Sequence, residues 1–158
     1  MTTDIDNIHL GRAIDLARRA AAAGNRPFGA VVVDDDGDVV AEGENAAITS
    51  GNPTRHAELA AIADTIGAGY GPHLVGATVY ASGEPCPMCA TAMVLAGITR
   101  IVFAAATADF APYLPPGGPM FTLTCAEVAE SGGVPVVVEG PVPVAGALEV
   151  FAEYAAAR

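Results

Sequence analysis

Two short stretches, H-A-E at His56, Ala57 and Glu58 and P-C-P-M-C at residues 85–89, supply one imidazole, two thiols and one carboxylate. An imidazole and two thiolates select zinc over the hard cations, and a set of three protein ligands leaves one tetrahedral position free for a water. Water in such a position has its pKa lowered to about 7, which makes hydroxide available at neutral pH without a strong base. The residue types therefore predict a catalytic Zn2+ held by His56, Cys86 and Cys89.

Spacing separates these ligands from the carboxylate. Asn52, Pro53 and Thr54 read as a turn and N-cap before the apolar run Ala57, Leu59, Ala60, Ile62 and Ala63, so His56 opens a helix. Glu58, two positions on, is rotated by about 200° around the helix axis, which keeps it off an ion held by His56. Glu58 is the candidate catalytic proton carrier; the alternative is a solvated acid favoured by the helix dipole. In the second stretch Cys86 stands at a cap, Pro87 takes the first helical position and Cys89 follows one turn on, on the same face. A helix N-terminus favours thiolate over thiol. The competing reading is a closed structural zinc with Cys125, His73 or His9 as fourth ligand, against which the leftover carboxylate argues.

The elements around the two motifs alternate. A helix is expected from residue 5 to 23, closed by Gly24, then a strand over 29–34 and a second from 39 toward Asn45, joined by a hairpin turn at the acidic run 34–38. That run lacks the spacing and closing Glu of a calcium loop. After the His56 helix come a strand over 77–81, a helix over 87–96, a strand over 101–105, a last strand over 134–139 and a terminal helix over 144–156. Residues 1–158 read as one domain, with 52% hydrophobic content to build its core.

H-x-E followed by P-C-x-x-C is the signature of zinc deaminases. On these motifs the chain resembles the cytidine-deaminase-like superfamily, and within it the nucleobase deaminases represented by bacterial guanine deaminase and the tRNA adenosine deaminases. The likeness extends to R-P-F-G-A-V-V-V at residues 26–33, which looks like the family's first strand, and to Asn45, which falls where the family keeps a base-contacting asparagine. T-V-Y-A-S-G-E-P-C-P-M-C and R-I-V-F-A-A-A resemble its strands around the cysteine helix. The resemblance is good over residues 5–109 and poor beyond. It implies a three-layer α/β/α cytidine-deaminase-like fold with a central mixed five-stranded sheet and helices on both faces, a homodimer, and substrate contacts from Phe28, Asn45 and Ala57.

The Pro- and Gly-rich stretch 111–120 follows the fourth strand, where loops of α/β sheets carry binding residues, and in the resembled family this region helps choose the substrate. Asp109, Phe110 and Tyr113 are the candidates there; the bland alternative is an ordinary surface connection.

Charge narrows the substrate. All seven cations are Arg, there is no Lys, and 18 acids bring the balance to -11. A polynucleotide substrate needs a basic patch that this chain's scattered arginines do not form. The chain ends F-A-E-Y-A-A-A-R, with Glu149 and Glu153, where tRNA adenosine deaminases carry an aromatic and basic helix. No membrane association is expected, since no apolar run reaches transmembrane length, and Asp4, Asp6 and Asp15 stand where a secretory signal carries no acids; a cytoplasmic protein is predicted. Of three cysteines, Cys125 lacks a partner and reads as a small buried hydrophobe.

The expected function is hydrolytic deamination of a free nucleobase or nucleoside, guanine or a related aminopurine first, by zinc-bound hydroxide with Glu58 as proton shuttle. The alternatives are a cytosine or cytidine deaminase, a tRNA adenosine deaminase, and a non-enzymatic zinc-stabilised binding module.

Overall fold

The computed structural model describes residues 2–158. Helix α1 (Asp4–Ala22) begins with a reciprocal cap: Thr3 Oγ1 accepts from the Asp6 N–H at 3.2 Å and the Asp6 carboxylate accepts from the Thr3 N–H at 2.6 Å. Its Leu10, Ala13, Ile14, Ala17 and Ala20 recur every three or four positions and are buried, giving it one apolar face. Strands β1 (Gly29–Val33) and β2 (Val39–Glu44) form the hairpin. Asp34 Oδ1 accepts from the Asp36 and Asp38 N–H groups at 3.1 and 2.9 Å, so this acid folds the turn.

There follow α2 (Ala47–Ser50), α3 (Ala57–Gly67), a 3₁₀ turn (Gly71–Leu74), β3 (Thr78–Gly83), α4 (Pro87–Leu95), β4 (Arg100–Ala105), α5 (Thr107–Phe110), a second 3₁₀ turn (Ala111–Tyr113), α6 (Cys125–Ser131), β5 (Val137–Glu139) and α7 (Glu149–Ala156). The sheet runs β2-β1-β3-β4-β5, antiparallel through β2, β1 and β3 and parallel through β3, β4 and β5. Strand side chains alternate between two cores. Val31, Val33, Tyr80 and Val102 join Leu10 and Ile14 of α1 and Phe151 of α7 on one face, while Val32, Val79 and Ile101 join Ile62 of α3, Met93 of α4 and Cys125 of α6 on the other. The architecture is the three-layer α/β/α arrangement around a mixed sheet.

Several boundaries differ from expectation. The cap expected within residues 52–54 is His56 itself, and α3 begins one residue later, at Ala57. The terminal helix expected over 144–156 begins only at Glu149, because Gly146 at φ 87° breaks helical geometry in the residues before it. The last strand starts at Val137 rather than 134, after Gly132, Gly133 and Pro135. Helix α6 was not expected; Thr124 caps it by accepting from the Glu127 N–H at 3.2 Å, with Glu127 reaching back to the Thr124 N–H at 2.7 Å.

One close approach fixes α3 against the sheet. A Cβ added to Gly43 on β2 would stand 2.0 Å from the Ala57 carbonyl oxygen at the start of α3, so only glycine lets that first turn sit where it does. Gly43→Ala should push the start of α3 outward, destabilise the protein by about 1–3 kcal/mol and lower its zinc affinity, checked by thermal unfolding and by metal content after dialysis. A variant with undiminished zinc and Tm would contradict this.

At the opposite end of the parallel strands lies a buried polar cluster. Asp6, with 3% side-chain exposure, accepts from Tyr80 Oη and Arg100 Nη1, both at 2.7 Å, and Arg100 Nε donates to Glu139 at 2.7 Å. The Arg100 guanidinium holds the Asp6 carboxyl well below the usual carboxylate range. A depressed folded-state pKa contributes stability that is present above the unfolded value of about 3.9 and is lost as pH falls below it. Asp6→Asn should therefore cost about 2–3 kcal/mol at neutral pH, and its deficit against wild type should shrink as pH falls below about 4. Urea unfolding of both proteins across pH 3–7 tests this; a deficit independent of pH would refute the assignment.

Candidate active site

Strand β1 runs antiparallel to β3, so its first residues, the last of β2 and the C-terminal ends of β3 and β4 share one edge of the sheet. Helices α3 and α4 start at that edge. His56 caps α3 with an extended backbone (φ -75°, ψ 157°), and Cys86 caps α4 in the same way (φ -69°, ψ 167°), with Pro87 at the first helical position. Two helix N-termini thus converge, and both favour negative charge between them.

His56 Nδ1 lies 3.5 Å from Cys86 Sγ and 3.7 Å from Cys89 Sγ, and the three donor atoms all fall within 4.8 Å of one another. With Zn–S of about 2.3 Å and Zn–N of about 2.1 Å, a tetrahedral angle sets each N–S edge at about 3.6 Å. The observed edges bracket that value, so the donor set fits zinc in both chemistry and size. Among the described residues no other His, Cys, Asp or Glu joins the group. His9 packs at a tilt against Tyr80, ring centres 4.8 Å apart, and His73 Nδ1 lies 3.3 Å from Asp34. Cys125 is buried in the core beside α4, and that burial pushes its thiol up to about 12. Three donors and one open tetrahedral position is the arrangement of a catalytic rather than a closed structural zinc.

The electrostatics favour a thiolate at Cys86 and leave its proton-sharing neighbour Cys89 as thiol. The neighbouring Cys89 thiol, and then His56, hold the Cys86 thiol down to about 4, while Cys86 pushes the Cys89 thiol and the His56 imidazole up. Glu58 is 4% exposed, and this burial pushes its carboxyl up. It lies outside the donor group yet close enough for its charge to act on His56 and Cys89.

The other predicted residues divide. Asn45 is buried, its Oδ1 accepts from the Ala47 N–H at 3.1 Å, and its own N–H donates to the Phe28 carbonyl at 3.0 Å, which ties the end of β2 to the approach to β1. Phe28 packs edge-on against Phe110 and Phe151, both at 5.3 Å, and against Gly83, where a Cβ would meet its ring at 2.9 Å. Ala57 is fully buried under Gly43. Phe110 belongs to the core, stacked on Phe151 at 4.8 Å, with Tyr113 packed against that cluster. Asp109 is exposed and lines a cavity of about 490 Å³ with Pro141, Val144 and Leu148, none of them near a metal donor in sequence.

Glu84 is a site residue that sequence reasoning missed. Its carboxylate accepts from the Cys125 N–H at 3.1 Å and from the Thr107 N–H at 3.0 Å, so the residue two before Cys86 also anchors the starts of α5 and α6. An acid directly before P-C-x-x-C is the only signal in the chain, and it does not say which distant backbone it holds.

Comparison with known proteins agrees with this geometry. The family model for the cytidine and deoxycytidylate deaminase zinc-binding region matches residues 3–105. Guanine deaminase of Bacillus subtilis is 42% identical over 103 residues, covering 65% of this chain and 65% of that protein. The tRNA-specific adenosine deaminase of Haemophilus influenzae is 38% identical over 103 residues, covering 65% of this chain and 60% of the relative. The match thus spans less than two thirds of either relative. Among solved structures, the B. subtilis guanine deaminase has a TM-score of 0.61 at 33% identity, covering 77% of this chain and 88% of that one. The guanine deaminase of Nitrosomonas europaea has a TM-score of 0.76 at 22% identity over 99% of this chain and 86% of its own, a likeness of fold.

Proposed function

The chain belongs to the cytidine and deoxycytidylate deaminase zinc-binding family, and from that premise we propose that it is a hydrolytic deaminase of free nucleobases or nucleosides, with guanine or a related aminopurine preferred. The observation that carries the reading is a three-donor metal site with a buried carboxylate beside it that is not itself a donor. Zinc, when bound, supplies Lewis acidity that brings the pKa of a coordinated water to about 7.

The chain's own residues do the rest. His56 Nδ1, Cys86 Sγ and Cys89 Sγ hold the ion. The Glu58 carboxylate takes a proton from the attacking water and gives it to a ring nitrogen as the amine-bearing carbon becomes tetrahedral; it then takes the second proton from the new hydroxyl on that carbon and passes it to the amine, which leaves as ammonia while the carbonyl forms. With its Oδ1 engaged by Ala47, the Asn45 carboxamide offers its N–H₂ to an acceptor on the base. Phe28 presents its ring at the same edge, and N–H groups at the start of α4 stabilise developing charge.

A small substrate is supported by the charge of -11 and by the pairing of five of the seven arginines with acids, which leaves no cluster of free cations for phosphates. Arg12 is held by Glu42 at 2.7 Å, Arg19 by Glu44 at 2.9 Å and Arg55 by Asp64 at 3.1 Å. The similarity to B. subtilis guanine deaminase favours guanine among small substrates. The similarity to the H. influenzae tRNA-specific enzyme favours a second reading, deamination of tRNA adenosine. Among the described residues no helix is long and apolar enough to cross a membrane, and we place the proposed activity in the cytoplasm, in a homodimer of single-domain chains.

Ammonia release from guanine, cytosine, adenine and their nucleosides, beside a salt-dependent gel shift with tRNA, tests the reading. Guanine should lead and tRNA should not shift. A tRNA shift with adenosine turnover would favour the second reading, and ammonia from none of these would leave only a zinc-stabilised binding module.

A further inference from the structure

Arg26 is the one arginine among the described residues whose side chain has no hydrogen bond or ion pair to protein; its carbonyl accepts from the Phe28 N–H at 2.9 Å. Arg18 and Arg100 hold acids like the three pairs above, and Arg158 donates to the Tyr113 carbonyl at 3.2 Å. In a chain with 18 acids and seven cations, a half-buried guanidinium without a carboxylate partner is an exception that costs desolvation.

Its position gives the exception a meaning. Arg26 stands three residues before β1, at the sheet edge where α3 and α4 begin. Two residues on, the Phe28 carbonyl takes the Asn45 N–H and the Phe28 ring covers Gly83, so this turn is fixed to the ends of β2 and β3. On its far side, Arg26 Nη2 reaches to 3.9 Å from where a Cβ on Gly118 would stand, beneath the 111–120 loop. The side chain therefore lies against that loop, at the end of the sheet from which α3 and α4 carry the metal donors.

A guanidinium is a rigid fork of N–H donors and accepts nothing. A guanine whose C2 amine faces the metal donors turns its O6 and N7 acceptors away, on the side of the ring opposite C2. Arginine paired to O6 and N7 is the commonest specific contact made to that base. We propose that Arg26 is a specificity-determining residue that donates to the O6/N7 edge of the purine, selecting a 6-oxo over a 6-amino ring. This rests on the guanine reading above.

The test compares kcat/KM for guanine and 2,6-diaminopurine, which keeps the C2 amine but replaces the O6 acceptor by a donor, in wild type, Arg26→Met and Arg26→Gln. Wild type should favour guanine, and Arg26→Met should lower the guanine to 2,6-diaminopurine ratio by about 10- to 100-fold. Arg26→Gln should move the ratio further toward 2,6-diaminopurine, because a carboxamide can accept from the 6-amino group while donating to N7. Zinc content should be unchanged in both. An unchanged ratio, or equal losses on both purines with zinc retained, overturns the role of Arg26 while leaving guanine deamination standing. Ammonia from neither purine in wild type overturns both readings.

Discussion

Glu58→Ala should retain zinc and lower turnover by about a hundred- to ten-thousand-fold, the range for removing a positioned proton carrier. The separation of effects follows from geometry. The metal donors are His56 Nδ1 and two sulfurs, and Glu58 is not among them, so alanine leaves the donor set whole. What is lost is the only acid in the two motifs, buried at 4% exposure. Glu58→Gln tests the same point without opening a void, since the amide keeps the size but carries no titratable proton. Zinc content by atomic absorption and ammonia release under single-turnover conditions are the two measurements. Full activity in either variant would remove Glu58 from the reaction.

Cys86→Ser should have the opposite pattern, losing metal first and activity with it. Apparent binding energies of structural zinc sites in peptides run to about 10–16 kcal/mol, so one of four ligands is worth roughly 3 kcal/mol and more than a hundredfold in affinity. Metal that binds only the folded chain also stabilises it, so Tm should fall and become insensitive to added zinc. Cys125→Ala is the control: its sulfur is buried in the same core but lies outside the donor group, and it should keep one zinc per chain. One zinc per chain in Cys86→Ser would falsify the ligand assignment.

The donors are legible in the sequence because each sits within a local signal. A turn before an apolar periodic run brings His56 to a helix start, and Pro87 does the same for Cys86. The strands are legible because their apolar runs are short and flanked by glycine and acids. Helix α6 is not, since seven residues with only Cys125 and Ala129 buried make too weak a pattern, even with a capping box at Thr124 and Glu127. The end of the chain misleads in the other direction: its apolar residues continue through 144–148, but Gly146 at positive φ holds that segment in turns. Glu84 and Arg26 are illegible for another reason. Glu84 holds backbone 23 and 41 positions away, and Arg26 stands out only because the other arginines find partners far along the chain.

The division of the interior into two cores has a consequence for how the chain comes apart. Cys89 is part of the core beneath α3, α4 and α6, whereas the core under α1 and α7 contains no metal donor and is closed by the Asp6–Arg100 pair. Chelation should therefore loosen one layer ahead of the other, with amide hydrogen exchange accelerating in α3 and α4 while the amides of α1 stay protected. A chain that has lost its ion would keep half of its structure as a template on which the other half can re-form.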